Sequence, residues 1–197
     1  MKKINLLIVL VSVLISLYYC YSYIEIKKYA NALSSLIIIP LMVAPLIITK
    51  ITKKSNNWIE SIYIVIIFLA QVLGSVVGLY HSFSGYDKIV HMISGIVTSF
   101  LGVYILYKFK KGDNKFFNII FIVIITLAIA AIWELIEYNI DNIFKTDVQW
   151  VSKTGINDTM TDIISALIGT CLFNICYLFE ICNDKKMIVT KFINSLN

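Results

Sequence analysis

The sequence predicts an all-α integral membrane protein, a six-helix transmembrane bundle with its N- and C-terminus both on the cytoplasmic side. Three observations carry that prediction. Of 197 residues, 59% are hydrophobic and 15% charged, with a mean hydropathy of +0.83, far more apolar than a soluble domain of ordinary usage. The apolar residues gather in six runs of 17 to 21 residues, the length that crosses a hydrocarbon core of roughly 30 Å at about 1.5 Å per residue. The cations lie between the runs and alternate in number from one loop to the next.

The expected spans are 4–24, 32–49, 62–80, 89–107, 116–136 and 163–179. The first follows Lys2 and Lys3 as a signal peptide would. Its apolar stretch is too long for an h-region and no A-x-A site closes it, so an uncleaved helix is expected. The second carries Pro40 and Pro45, which should kink it, with neighbouring helices meeting the freed carbonyls.

With the N-terminus inside, 12 lysines fall on inside segments: Lys2, Lys3, Lys50, Lys53, Lys54, Lys108, Lys110, Lys111, Lys115, Lys185, Lys186 and Lys191. Five fall outside: Lys27, Lys28, Lys88, Lys145 and Lys153. That asymmetry sets the orientation. All 17 cations are lysine, which reads as coding bias, and the net charge of +5 does not indicate nucleic acid, because no face or patch collects it.

Cys20, Cys171, Cys176 and Cys182 form no CxxC pair, so neither a disulfide framework nor a zinc knuckle is indicated. Residues 1–197 read as one polytopic domain of the cell membrane, with the bilayer as its partner and the oligomeric state open. Within it, 86–170 hold the polar motifs and 139–157 form a loop along the outer interface, where Tyr138 and Trp150 suit an aromatic belt. The tail, 183–197, suits an amphipathic helix on the cytoplasmic surface.

Three motifs break the apolar pattern. Asp87-x-x-x-His91 heads the fourth span, Glu134-x-x-Glu137 ends the fifth and Asp158-x-x-x-Asp162 heads the sixth. Spacings of three and four put each pair on one helical face, and the topology places all six side chains at one depth near the outer face. The stripes continue inward as Ser94, Gly95, Thr98 and Gly102 after His91, and as Ser165, Ala166 and Gly169 after Asp162. Small residues let helices approach closely, so the fourth and sixth helices should pack through the faces that bear the polar heads.

Simpler roles exist for some of these residues. Asp87 and Asp158 also suit helix N-termini, where a carboxylate accepts orphan N–H bonds. Glu137 can be solvated at the headgroups, and His81 suits the interface. Glu60 and Glu180 lie near inner ends, where snorkelling suffices, and Gln71 and Asn174 suit bonds to a neighbouring helix. His91, Glu134 and Asp162 sit about one turn inside their spans, where ionisable groups are costly and commonly functional.

Five carboxylates and one histidine cannot all stay ionised in a partly desolvated pocket without a compensating cation or bound protons. The expected metal ligands are His91, Glu134, Asp158 and Asp162, with Glu137 or Asp87 as general base. A histidine among carboxylates suits Zn²⁺, Mn²⁺ or Fe²⁺, whereas carboxylates alone suit Mg²⁺ or Ca²⁺. No HExxH, GxSxG or P-loop occurs.

At these motifs the sequence resembles a bacterial membrane family typified by YjdF, in which Asp-x-x-x-His-x-x-x-Gly, aromatic-Glu-Leu-Ile-Glu and Asp-Thr-x-x-Asp segments follow in that order. Here they run from Asp87 through His91 to Gly95, from Trp133 through Glu134 to Glu137, and from Asp158 through Thr159 to Asp162. The Asp-Lys-x-x-His start is also similar to VanZ-like proteins, which are linked to glycopeptide resistance. The resemblance covers 86–170, and Asn157 and Met160 depart from the aromatic and the Gln expected at those places. It implies a site and no particular reaction.

Three functions stay open on the sequence. One is a metal-dependent enzyme acting on a lipid or envelope precursor at the outer leaflet. Another is a proton- or cation-coupled carrier, and the third a noncatalytic envelope or antibiotic-resistance factor. The topology is directly testable. In a background without native cysteines, Lys153→Cys should react with an impermeant maleimide in intact cells and Lys110→Cys only after permeabilisation, whereas equal labelling contradicts the orientation.

Overall fold

A computed structural model describes residues 2–52, 56–109, 114–183 and 187–196. The regular structure among them is helical: α1 (Lys2–Glu25), α2 (Tyr29–Thr52), α3 (Asn57–Ile67) continuing as a π-helical stretch (Phe68–Val76), α4 (Leu79–Ser82), α5 (Tyr86–Lys108), α6 (Lys115–Phe144), α7 (Val151–Thr154), α8 (Asn157–Cys182) and α9 (Ile188–Asn194). Six helices are long and apolar enough to cross a membrane: α1, α2, α3 with its π-helical extension, α5, α6 and α8. The protein is therefore an all-α membrane protein. Lys53, Lys54, Lys110, Lys111, Lys185 and Lys186, half of the inside lysines, lie outside the described residues.

Each span outruns its apolar run, and the third is displaced. Expected over 62–80, it begins at Asn57, where the Asn56 side chain accepts from the backbone N–H of Trp58 and Ile59, an N-cap that hydropathy cannot see. It ends at Val76 because Gly78 takes a left-handed φ of 87°, so His81 sits in the separate turn α4. α2 runs through Pro40 and Pro45 as one helix. α6 continues to Phe144, through the first residues of the segment expected as a loop, and α8 starts six residues before the expected 163.

The chain divides into two compact units, Met1–Val90 and His91–Asn197, with the boundary inside α5. In the first, α1 buries Asn5, Val9, Ser12, Ser16 and Cys20, a stripe at intervals of three and four, and α2 buries Ala32, Ser35, Ile38 and Met42 in the same rhythm. Ile64, Val72 and Val76 complete that core with Val9, Ile38 and Met42. Glu60, expected to snorkel, is instead buried and accepts a hydrogen bond from Thr49 Oγ1. Its carboxylate finds a hydroxyl inside the protein and has no need of the surface.

In the second unit α5 and α8 run parallel. His91 faces Asp162, Ser99 lies 3.1 Å from Thr170, and the Phe100 and Phe173 rings meet at 4.8 Å. α6 runs the opposite way. Its start meets the end of α8 where Asn118 Nδ2 donates to Tyr177 OH at 3.0 Å, and its middle meets α8 where Thr126 and Thr170 bond at 2.8 Å. α9 folds back onto this unit, with Val189 and Phe192 buried and the Phe192 ring 5.0 Å from Phe100. Glu180, the other carboxylate expected to snorkel, is 3% exposed and accepts from the backbone N–H of Val189 and Thr190 at 2.9 and 2.8 Å, which caps α9.

Two glycines set the spacing of α5 and α8. A Cβ on Gly95 would lie 2.0 Å from the Ala166 carbonyl oxygen, and one on Gly169 would lie 1.9 Å from that of Met92. The helices touch backbone to backbone, as the small-residue stripes predict. Gly169→Ala should therefore force the helices apart and lower stability by about 1–3 kcal/mol, read as thermal unfolding in detergent. Gly102→Ala, whose Cβ would meet the Ile122 side chain at 3.2 Å, should cost clearly less.

Candidate metal centre

The site is built on the heads of α5 and α8. Asp87 lies in the first turn of α5 and pairs with Lys88 at 3.3 Å, both about one-third exposed. His91 follows one turn later, its side chain 11% exposed. Asp162 lies in the second turn of α8 and is 2% exposed. The parallel register at Gly95 and Ala166 brings one turn of each helix face to face, and that turn carries His91 and Asp162.

His91 Nε2 stands 3.8 Å from Asp162 Oδ1, too far for a direct hydrogen bond. Two ligands on one ion, each bonded at ~2.0–2.2 Å, stand ~3–4.2 Å apart, so the gap fits one metal bridging both. Asp87 completes the group. One ligand atom from each of Asp87, His91 and Asp162 lies within 4.8 Å of the others. One imidazole and two carboxylates fit Zn²⁺, Mn²⁺ or Fe²⁺, and three protein ligands leave coordination positions open for water or substrate.

Glu134, Asp158 and Glu137 are not part of this group. Asp158, like Asp87, sits one residue inside its helix, in the first turn, and not at the N-cap position. Glu137 is half-buried, and its Oε1 accepts from Trp133 Nε1 at 2.8 Å. Glu134 is 6% exposed and is held by Gln149, whose Nε2 lies 3.1 Å from the Glu134 backbone oxygen, 3.2 Å from Oε2 and 3.2 Å from Thr159 Oγ1.

Gln149 is the residue that sequence reasoning missed, because it lies in a loop. After Lys145 takes a left-handed φ of 56°, Asp141 gathers the chain: it accepts from Thr146 Oγ1 at 2.7 Å, Val148 N–H at 2.7 Å and Gln149 N–H at 3.0 Å. Asp147 then accepts from Ser152, and Lys153 stacks over the Trp150 ring at 4.0 Å. Gln149 is thereby turned inward and buried. The readable signal was the pair Asp141 and Asp147 in a short polar stretch, a composition that favours side-chain-closed turns.

The fold and this group define a multi-pass membrane protein with a histidine and two aspartates gathered at one end of its helices. The family described as predicted membrane protein (DUF2238) matches residues 6–183, and the chain belongs to that family. No curated protein and no solved structure matches it.

Gln149→Leu should strip Glu134 of its donor and free the 145–156 loop. The expected outcome is a loss of about 1–3 kcal/mol and faster proteolytic cleavage in that loop, whereas unchanged cleavage would mean that the loop is held by other contacts.

Proposed function

We propose that the chain is a metal-dependent enzyme of the cell membrane that acts on a lipid or envelope precursor at the outer leaflet, with a divalent ion held by Asp87, His91 and Asp162. The observation that supports this is the convergence of those three side chains from two helices, with Asp162 buried and His91 half-buried beside it. The lysine asymmetry supports the outer placement, since helices starting after outside loops put Asp87 and Asp162 there. The order of the three motifs, as in the YjdF-like family, supports reading them as one region, whereas the VanZ likeness rests on Asp87, Lys88 and His91 alone.

A divalent ion supplies an activated water and polarises a carbonyl or phosphoryl oxygen. Asp87 moves in this reading from general base to ligand, with Lys88 balancing part of the site's negative charge. The base role passes to Glu137, whose carboxylate Trp133 orients.

A second reading, a proton- or cation-coupled carrier, is favoured by the polar ladder below the site. Thr98, Thr126, Thr170 and Ser99 form a hydroxyl cluster, and Asn118, Asn174, Tyr177 and Glu180 continue the buried face of α8 and its α6 neighbour. Proteoliposomes loaded with a pH-sensitive dye would show flux on this reading and none on the first.

Metal analysis of protein purified in detergent without chelator tests the proposal. About one divalent ion per chain is expected, with His91→Ala, Asp162→Asn and Asp87→Asn each losing it while the helices still insert, and Glu134→Gln keeping it. Folded wild-type protein that carries no metal, and that no added metal stabilises, defeats the reading.

A further inference from the structure

Asp87 is the least buried of the three grouped residues, its side chain 32% exposed against 11% for His91 and 3% for Asp162, so packing holds it least. It also stands in the first turn of α5, where helices fray, and the connector before it does little to aim the helix. Gly78 and Gly85 take left-handed φ of 87° and 85°, and a Cβ at either would meet nothing within 4 Å. Such glycines permit a turn without fixing it. Something else has to hold the head of α5.

Tyr86, the first residue of α5, is that hold. Its side chain is 8% exposed, its OH donates to the Leu69 carbonyl at 2.9 Å, and its ring meets those of Tyr80 and Phe83 edge-on at 5.6 and 6.4 Å. Leu69 belongs to the π-helical stretch of the third span, and so does Gly74, where a Cβ would collide with the Tyr80 ring. In an α-helix, residues five apart point about 140° away from each other. π-helical winding bonds residue i to i+5 and stacks the two, so Leu69 and Gly74 share one face, which takes the Tyr86 hydroxyl and the Tyr80 ring together. The π-helical stretch thereby forms a seat for the start of α5, in keeping with the frequent use of such stretches at functional sites.

We infer that Tyr86 is a positioning residue of the metal centre: pinned to Leu69, it keeps the first turn of α5 wound and so holds Asp87 on the face of His91, one turn further on. The inference rests on the proposed metal reading, which it extends from the three ligands to the group that steadies the least buried of them. Tyr86 acts through Asp87 and is not itself a ligand, since it is outside the grouped residues.

The test titrates Zn²⁺ into the full chain, purified in detergent and stripped with chelator, and compares two conservative variants. Tyr86→Phe keeps the ring and removes the hydroxyl. Tyr23→Phe removes the other phenol bond to the same stretch, which runs from α1 to the Val76 carbonyl at 3.0 Å. Tyr86→Phe should bind Zn²⁺ about tenfold more weakly, the usual effect of losing a group that orients a ligand, whereas Tyr23→Phe should keep wild-type affinity even where its thermal stability falls. In the metal-free proteins, amide hydrogen exchange at Ile89, whose N–H bonds the Gly85 carbonyl at 3.1 Å, should quicken in Tyr86→Phe alone. Wild-type protein that takes no Zn²⁺ defeats the metal reading, and the inference with it. Equal affinity in wild type and Tyr86→Phe overturns the inference alone, as does unchanged exchange at Ile89 or an equal loss of affinity in both variants, which would mark a general softening of the fold.

Discussion

The backbone contact between α5 and α8 at Gly95 and Gly169 is the constraint on which the second unit depends. In a bilayer the lipid is as apolar as the side chains, so helices associate through close packing and hydrogen bonds. Two glycines without Cβ atoms remove the spacer between the helices, and the carbonyls of Ala166 and Met92 fill the place a methyl would take. Once that contact is made, the register is set in both directions. One turn toward the helix heads it opposes His91 to Asp162, and one turn the other way it opposes Ser99 to Thr170. The grouped side chains of Asp87, His91 and Asp162 thus stand on helices and not on loops, which fixes their positions more closely than a loop would.

The same contact explains why so many hydroxyls are buried. With the backbones touching, only small side chains fit beside the contact, and a hydroxyl is small and bonds along the seam. Ser99 donates to the Gly95 carbonyl at 2.7 Å, and Thr170 reaches both that carbonyl and Thr126. Three helices are tied by groups that each satisfy one another, which is the condition for polar side chains at membrane depth. The aromatic trio of Phe100, Phe173 and Phe192 then seals the far end and seats α9.

The spans were legible because an uninterrupted apolar run of membrane length has few other uses. Their ends were not, since Asn56 and Gly78 act through a side-chain cap and a left-handed φ that hydropathy averages away. The meeting of His91 and Asp162 was legible because intervals of four on two helices extend into stripes of small residues, and such stripes mark the faces that pack. Glu134 looked like their partner at the same depth, yet its carboxylate turned to Gln149, a loop residue placed by Asp141 seven and eight positions upstream of the bonds it accepts. No periodicity announces a loop that folds back. Nothing in the run of apolar residues from 68 to 76 foretold a π-helical stretch either, although Tyr80, packed over Gly74, shows what fills the neighbouring space.

Three buried glutamates show how differently one cost is met. Glu180 takes two backbone N–H groups at the start of α9, which need a partner in any case, so one contact satisfies both sides. Glu60 takes the Thr49 hydroxyl across to α2. Glu134 takes the Gln149 N–H₂ on one oxygen and leaves the other buried without a hydrogen bond, the cost that remains where one loop side chain, and not a helix terminus, supplies the donor.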